Sequence, residues 1–341
     1  MGTLRLTMAC ALLVAPASAQ SLNLRQSPFA PPPAPSFGAA IGQSGVWNAL
    51  ELPATIGGTV ASTPLVGLDG ASVPVVAQVK GCDAYSCDWP GYGADIESLF
   101  VATVNGDCYA DPSSTTLIGL QAGAYVLVAY GSPCWSTPNV QLSVSLSDQS
   151  YNKTSPNFGE YLGTFDTMTL STHAFDVAAG VSVRLAGSYF AYLSAAQLVR
   201  VEPPSVFCTS KVNSQGCTAQ IAAIGNAASL SDDAPFHVIA TDVVNDVPGL
   251  LFYGFAQDVK PFMGGLHCVK PPTPRTWGQF SGGNGVPCGG TFDLDFNGWL
   301  SGNPLPKVYA GARLHAQYWY RDVNDPHGAA TSDAVSFHVV P

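Results

Sequence analysis

The chain has 341 residues, of which 23 are acidic and 13 basic, for a net charge of −10; charged residues make up 11%. That balance leaves no basic footprint for nucleic acid and no Lys/Arg cluster for anionic lipid. Glycine (35) and proline (27) together make about 18% of the chain, against an average sum near 12%, which is the punctuation expected of an all-β protein with many turns.

Residues 1–20 read as a secretory signal peptide. Arg5 precedes a short apolar run from Leu6 to Val14, and Ala17-Ser18-Ala19 supplies the small residues a signal peptidase requires. The run is too short to span a bilayer, and no later stretch of about 18 apolar residues occurs, so no membrane insertion is expected. Cys10 lies inside the run with most apolar residues after it, which does not suit a lipidation site. Loss of Arg5 takes the net charge from −10 to −11. The expected location is extracellular or cell-surface, with the periplasm as the alternative.

Residues 21–36 carry Pro28, Pro31, Pro32, Pro33 and Pro35 and read as a proline-rich linker in polyproline-like conformation. Residues 37–202 then show short strands, at 72–79, 114–120, 124–130, 140–146, 167–170, 181–185 and 197–201. Val140, Leu142, Val144 and Leu146 alternate with period two, as a half-buried strand does. Gln121-Ala122-Gly123 between two of these runs is a hairpin signal. No sustained 3.6-residue periodicity competes, so two packed sheets are the natural solution.

Glu202-Pro203-Pro204 marks a boundary, and 205–341 forms the second unit. Its expected strands are 236–240, 249–253, 290–296, 313–321 and 334–340, with loops at Pro271-Pro272-Thr273-Pro274 and Ser281-Gly282-Gly283-Asn284-Gly285. The fold class expected is all-β, with two disulfide-bearing β-sandwich domains in tandem.

The second unit resembles a domain found in secreted proteins of planctomycetes, myxobacteria and similar environmental bacteria. The residues that carry the likeness are Cys208-Thr209-Ser210-Lys211-Val212-Asn213-Ser214-Gln215-Gly216-Cys217-Thr218, Pro248 to Gly254, Gly264-Gly265-Leu266-His267-Cys268-Val269 and Gln317 to Asp322. The first unit looks like a galactose-binding-like jelly-roll module, through Phe37-Gly38, Gly45-Val46-Trp47-Asn48, Leu65 to Gly70, Leu117-Ile118-Gly119-Leu120 and Gly123-Ala124-Tyr125. Both resemblances imply extracellular β modules, and neither implies a reaction.

Eight cysteines follow the leader: Cys82, Cys87, Cys108 and Cys134 in the first unit, Cys208, Cys217, Cys268 and Cys288 in the second. Export and an even count favour disulfides over metal thiolates, because neither Cys82-x4-Cys87 nor Cys208-x8-Cys217 has a matching second pair at zinc spacing. Four cysteines per unit allow three connectivities, and closeness in sequence favours 82–87, 108–134, 208–217 and 268–288. No cofactor is required. Calcium is the one ion to consider, because Asp293, Asp295 and Asn297 before Gly298 copy the start of a calcium loop. The twelfth position is Pro304 rather than Glu, and a strand ending at a turn explains the same residues.

Catalytic patterns are sparse. Gly42-Gln43-Ser44-Gly45-Val46 lacks the final Gly of a nucleophile elbow. The six histidines form no His-x-His or His-x-x-x-His, and His237, His315 and His338 fall in expected strands. Asp95 and Glu97 are the nearest acid pair, in a loop. No catalytic residue is assigned. Aromatic residues near the first cysteines offer a ligand-binding alternative: Trp89, Tyr92 and Trp135 as a platform for sugar rings, with Asp95 or Asp83 accepting hydroxyl hydrogen bonds. Packing over the disulfides explains the same rings. The expected role is a non-catalytic module that binds an extracellular glycan or cell-surface component. A structural or adhesive protein and a secreted hydrolase of polysaccharide or ester are the alternatives.

Overall fold

The computed structural model describes residues 20–26, 31–53, 58–62, 64–81, 83–86, 94–95, 99, 102–105, 114–131, 141–155, 165, 170–187, 193–231, 235–303 and 308–341. The signal peptide expected at 1–20 lies outside them except for Gln20. So do Cys82, Cys87, Cys108, Cys134, Trp89, Tyr92 and Trp135.

The chain is all-β. Among the described residues thirteen strands precede residue 201: β1 (Leu22–Gln26), β2 (Trp47–Leu50), β3 (Thr59–Ala61), β4 (Val76–Lys80), β5 (Asp83–Ser86), β6 (Ala102–Asn105), β7 (Ser114–Ile118), β8 (Gly123–Gly131), β9 (Leu142–Leu146), β10 (Asn152–Thr154), β11 (Ser171–Val177), β12 (Val183–Gly187) and β13 (Leu193–Arg200). One sheet runs β11-β8-β13-β1-β2, with β6 joined to β13 and β5 to β6; its partner runs β10-β9-β12-β7-β4-β3. Their inner faces meet in one core. Tyr125, Leu127, Ala129, Leu22, Leu24 and Leu198 come from the first sheet, and Ala77, Val79, Leu117, Val144 and Leu185 from the second. Period-two alternation places them there: β9 alternates buried and half-buried residues along its length.

The segment expected as a linker at 21–36 is corrected by this sheet. β1 lies antiparallel to β13 and parallel to β2, and all five of its residues are buried. Leu-Asn-Leu-Arg-Gln has the alternation of a strand, and the prolines begin after it. Pairing with β13, some 170 positions away, is what a local reading could not supply. Of the strand expected at 167–170 only Leu170 is among the described residues, and β11 begins just after it, at Ser171.

Eleven further strands follow among the described residues: β14 (Ser205–Phe207), β15 (Gln220–Ile224), β16 (Ala228–Ser229), β17 (His237–Val243), β18 (Pro248–Gly254), β19 (Gln257–Phe262), β20 (Gly265–Val269), β21 (Gln279–Phe280), β22 (Gly290–Asp295), β23 (Arg313–Arg321) and β24 (Ala329–Val340). A short helix α1 (Phe296–Gly302) follows β22. The main sheet runs β14-β24-β23-β18-β21 with β16 on β24; β15-β17-β22 form a second sheet and β19-β20 a hairpin. Phe292 of the small sheet stacks on Tyr318 of the main one, with centroids 5.1 Å apart and planes 14° apart. The Tyr318 hydroxyl donates to Val238 O at 2.9 Å. Phe296, Trp299 and Leu300 of α1 close the same core.

Among the described residues every sheet lies wholly before or wholly after 201–204. A third apolar cluster joins the two parts. Ile41, Trp47, Val126, Val128, Tyr130 and Val199 pack with Ala310, against which Tyr309 and Val340 also lie.

Two disulfides are described, Cys208–Cys268 and Cys217–Cys288, spanning 60 and 71 residues. The nearest-neighbour pairing 208–217 and 268–288 is therefore overturned. The loop from Cys208 to Cys217 closes on backbone hydrogen bonds of its own, Asn213 N to Cys217 O and Gly216 N to Asn213 O. Each sulfur is left to staple a distant segment.

Candidate functional site

The described surface offers a groove on the outer face of the main second sheet. Strand alternation fixes its floor: Leu251, Tyr253, Tyr318 and Tyr320 point into the core, so Leu250, Phe252 and Trp319 face outward. Leu250 is the direct cross-strand partner of Trp319. The β19-β20 hairpin folds over this face and forms a wall with Phe262, Met263 and His267, while Thr273 and Arg275 come from the connection to β21. The enclosed volume is about 300 Å³.

Its aromatic rings are mutually braced. Phe252 stacks on His267 with centroids 4.8 Å apart and planes 12° apart, and Phe262 meets the same imidazole edge-on at 5.6 Å. Burial lowers the His267 pKa below the usual histidine value, the Asp258 carboxylate opposing it. His267 is therefore a neutral aromatic wall near pH 7. The Arg321 guanidinium sits 5.3 Å from the Trp319 ring centre, a cation–π contact between two residues of the same strand.

The hairpin is fixed at three heights. Cys268, at its base, is bonded to Cys208. Gln317, fully buried, accepts from Cys268 N at 2.9 Å and donates to Leu266 O at 3.1 Å. Lys211 Nζ donates to Met263 O at the tip, at 2.8 Å, and pairs with Asp325 at 2.5 Å. The groove is thus formed before any ligand arrives, which spares the ordering cost of binding.

The residues singled out from sequence fare differently. Trp89, Tyr92 and Trp135 lie outside the described residues, and the Asp83 side chain is likewise not described. One Asp95 carboxylate oxygen accepts from Ala34 N at 2.7 Å, a loop tie across 61 residues. Asp293, Asp295 and Asn297 are not brought together as a calcium loop. Asp293 pairs with His237 at 2.7 Å. Asp295 caps α1 by accepting from Gly298 N at 3.0 Å. Asn297 is fully buried and accepts from Ser229 N at 2.9 Å. Among the described residues no group of three or more His, Cys, Asp or Glu is placed to hold a metal. His173, His315 and His338 are buried in strands.

The sequence reading missed the groove because its parts are spread from residue 250 to residue 319. The usable signal was Trp319 in an alternating strand whose other face is Tyr318 and Tyr320.

No protein-family model and no curated protein matches the sequence. Among solved structures, a β-glucuronidase of Bacteroides uniformis is 8% identical with a TM-score of 0.20, covering 68% of this chain and 27% of that one. A structure of the plant peptide RALF23 in complex with FER and LLG2 is 10% identical with a TM-score of 0.28, covering 94% and 95%. At these scores neither likeness carries an argument about function.

Proposed function

We propose that this is an exported, non-catalytic binding protein directed at carbohydrate, built as two β modules that meet near residues 202–205. The groove is its sugar subsite. The observation that carries the reading is the rigid aromatic cleft of about 300 Å³ with Trp319 on its floor and Arg275 and Thr273 at its rim. Flat aromatic faces stack on the C–H faces of a pyranose, and a few polar groups then fix orientation through its hydroxyls. Among the described residues, those that line the groove include no carboxylate, so paired-acid hydrolysis finds no acid among them. Calcium has no part in this scheme.

Co-sedimentation of the purified, oxidised protein with a panel of insoluble polysaccharides, with assay of released sugar, tests this. Retention without release is expected, and Trp319→Ala should weaken it at least tenfold with little change in melting temperature. Trp277, 50% exposed, packed edge-on against Trp299 and not among the residues that line the groove, provides the control: Trp277→Ala should bind as the wild type does. Sugar release, or equal loss in both variants, would sink the proposal.

A further inference from the structure

The first described residue carries an asymmetry that points to a covalent modification. Gln20 is 1% exposed. Its Oε1 lies 2.5 Å from Gln121 N and 3.1 Å from the Tyr125 hydroxyl, tying it to the turn between β7 and β8. Its Nε2 is buried with no hydrogen-bond partner. The fold therefore uses the carbonyl half of this amide and gives the nitrogen half nothing, an arrangement that natural proteins avoid. Just beyond it, Ser21 accepts from Arg200 N at 3.0 Å and β1 begins. Just before it stands Ala17-Ser18-Ala19, the small-residue signal for leader removal.

We propose that the leader is cut after Ala19, one residue before the bound at 20 read from the sequence, so that the mature chain starts at Gln20, and that this residue is converted to pyroglutamate. The inference rests on the export reading. The freed α-amine attacks Cδ of its own side chain; the Nα–Cδ bond forms and the Cδ–Nε2 bond breaks. Nε2 leaves as ammonia, taking one proton from the amine. Oxidation states do not change and no co-reactant is needed. The ring removes the one side-chain polar atom of Gln20 that has no partner, and the α-ammonium charge with it. It keeps a carbonyl oxygen. Because the side chain is enclosed once β1 pairs with β13, ring closure belongs to the interval between leader removal and closure of that sheet.

The test is mass spectrometry and Edman degradation of the N-terminal peptide, on protein exported from a bacterial host with its own leader. A blocked peptide starting at residue 20, lighter by one ammonia than the glutamine form, is the expected result. Gln20→Ala, which has no side-chain amide to cyclise, should give an open N-terminus from the same cleavage. A free Gln20 in the wild type would overturn the inference and leave export intact. A different first residue, or an uncleaved leader, would overturn both the inference and the cleavage reading beneath it.

Discussion

Three buried histidines make this protein sensitive to acid. Burial, with Lys153 as a smaller cause, pushes His173 down to about 4, and burial assisted by Arg313 does the same to His315 and His338. His173 and His315 also spend ring nitrogens on hydroxyls, Tyr151 and Ser171 for the first and Ser336 for the second. In the unfolded chain each titrates near 6.5. The folded values are depressed, so their contribution is complete above pH 6.5. It is lost as the pH falls towards 4, where the unfolded state binds protons that the folded state refuses. Urea unfolding at pH 7.5 and pH 5 should show a marked fall in stability. His338→Gln should recover part of that fall, up to about 2 kcal/mol over this pH range. An unchanged pH dependence in that variant would mean the imidazole is not held neutral. His315 and His338 were legible as structural from the strands around them, while His173 fell in no expected strand; the burial itself was not legible, because it depends on groups distant in sequence, such as Tyr151 beside His173 and Phe207 and Ser336 beside His315.

At the scale of elements, β8 and the β19-β20 hairpin show how far a local pattern reaches. Ala124 to Tyr130 is apolar at almost every position and reads as a strand. The structure buries both faces: Tyr125, Leu127 and Ala129 in the sandwich, Val126, Val128 and Tyr130 in the junction cluster. The hairpin carries Asp258 and Lys260 and a Met263-Gly264 turn, and it gives no strong alternation. It exists because the sheet beneath it and Cys208 hold it. Replacing Cys208 and Cys268 with Ser should cost about 2–4 kcal/mol. The same change should weaken polysaccharide retention, because one wall of the groove loses its anchor. Removing Cys217–Cys288, which has no member in the groove, should cost similar stability and spare binding. Thermal melts and co-sedimentation on both double variants separate these outcomes; equal binding loss in both would detach the hairpin from the site.

The two parts of the molecule meet through a small apolar seam, and Gly311 is its most sensitive point. Its φ is +90°, and a Cβ there would stand 3.3 Å from Ile41 Cδ1, 3.4 Å from Val199 Cγ2 and 3.5 Å from Val126 Cγ1. Gly311→Val should combine left-handed strain with overpacking and destabilise by roughly 1–3 kcal/mol or more. Its signature should be separation of one unfolding transition into two in calorimetry, as the parts uncouple. A single transition at an unchanged temperature would show that the seam adds nothing.

Composition, turn punctuation and period-two runs by themselves determined that this chain is all-β and where most of its strands lie, because each depends on neighbours close in sequence; the even cysteine count pointed to disulfides in the second half without any local structure. Tertiary structure alone decided which cysteines pair, that Leu22–Gln26 is an inner strand, that Asp295 caps a helix, and that Trp319 shares a cleft with Phe252 and Phe262. Each of those outcomes needs groups tens to hundreds of residues apart to be held at one place. Only the closure of the sheets, and the enclosure of their shared faces from water, brings such groups together.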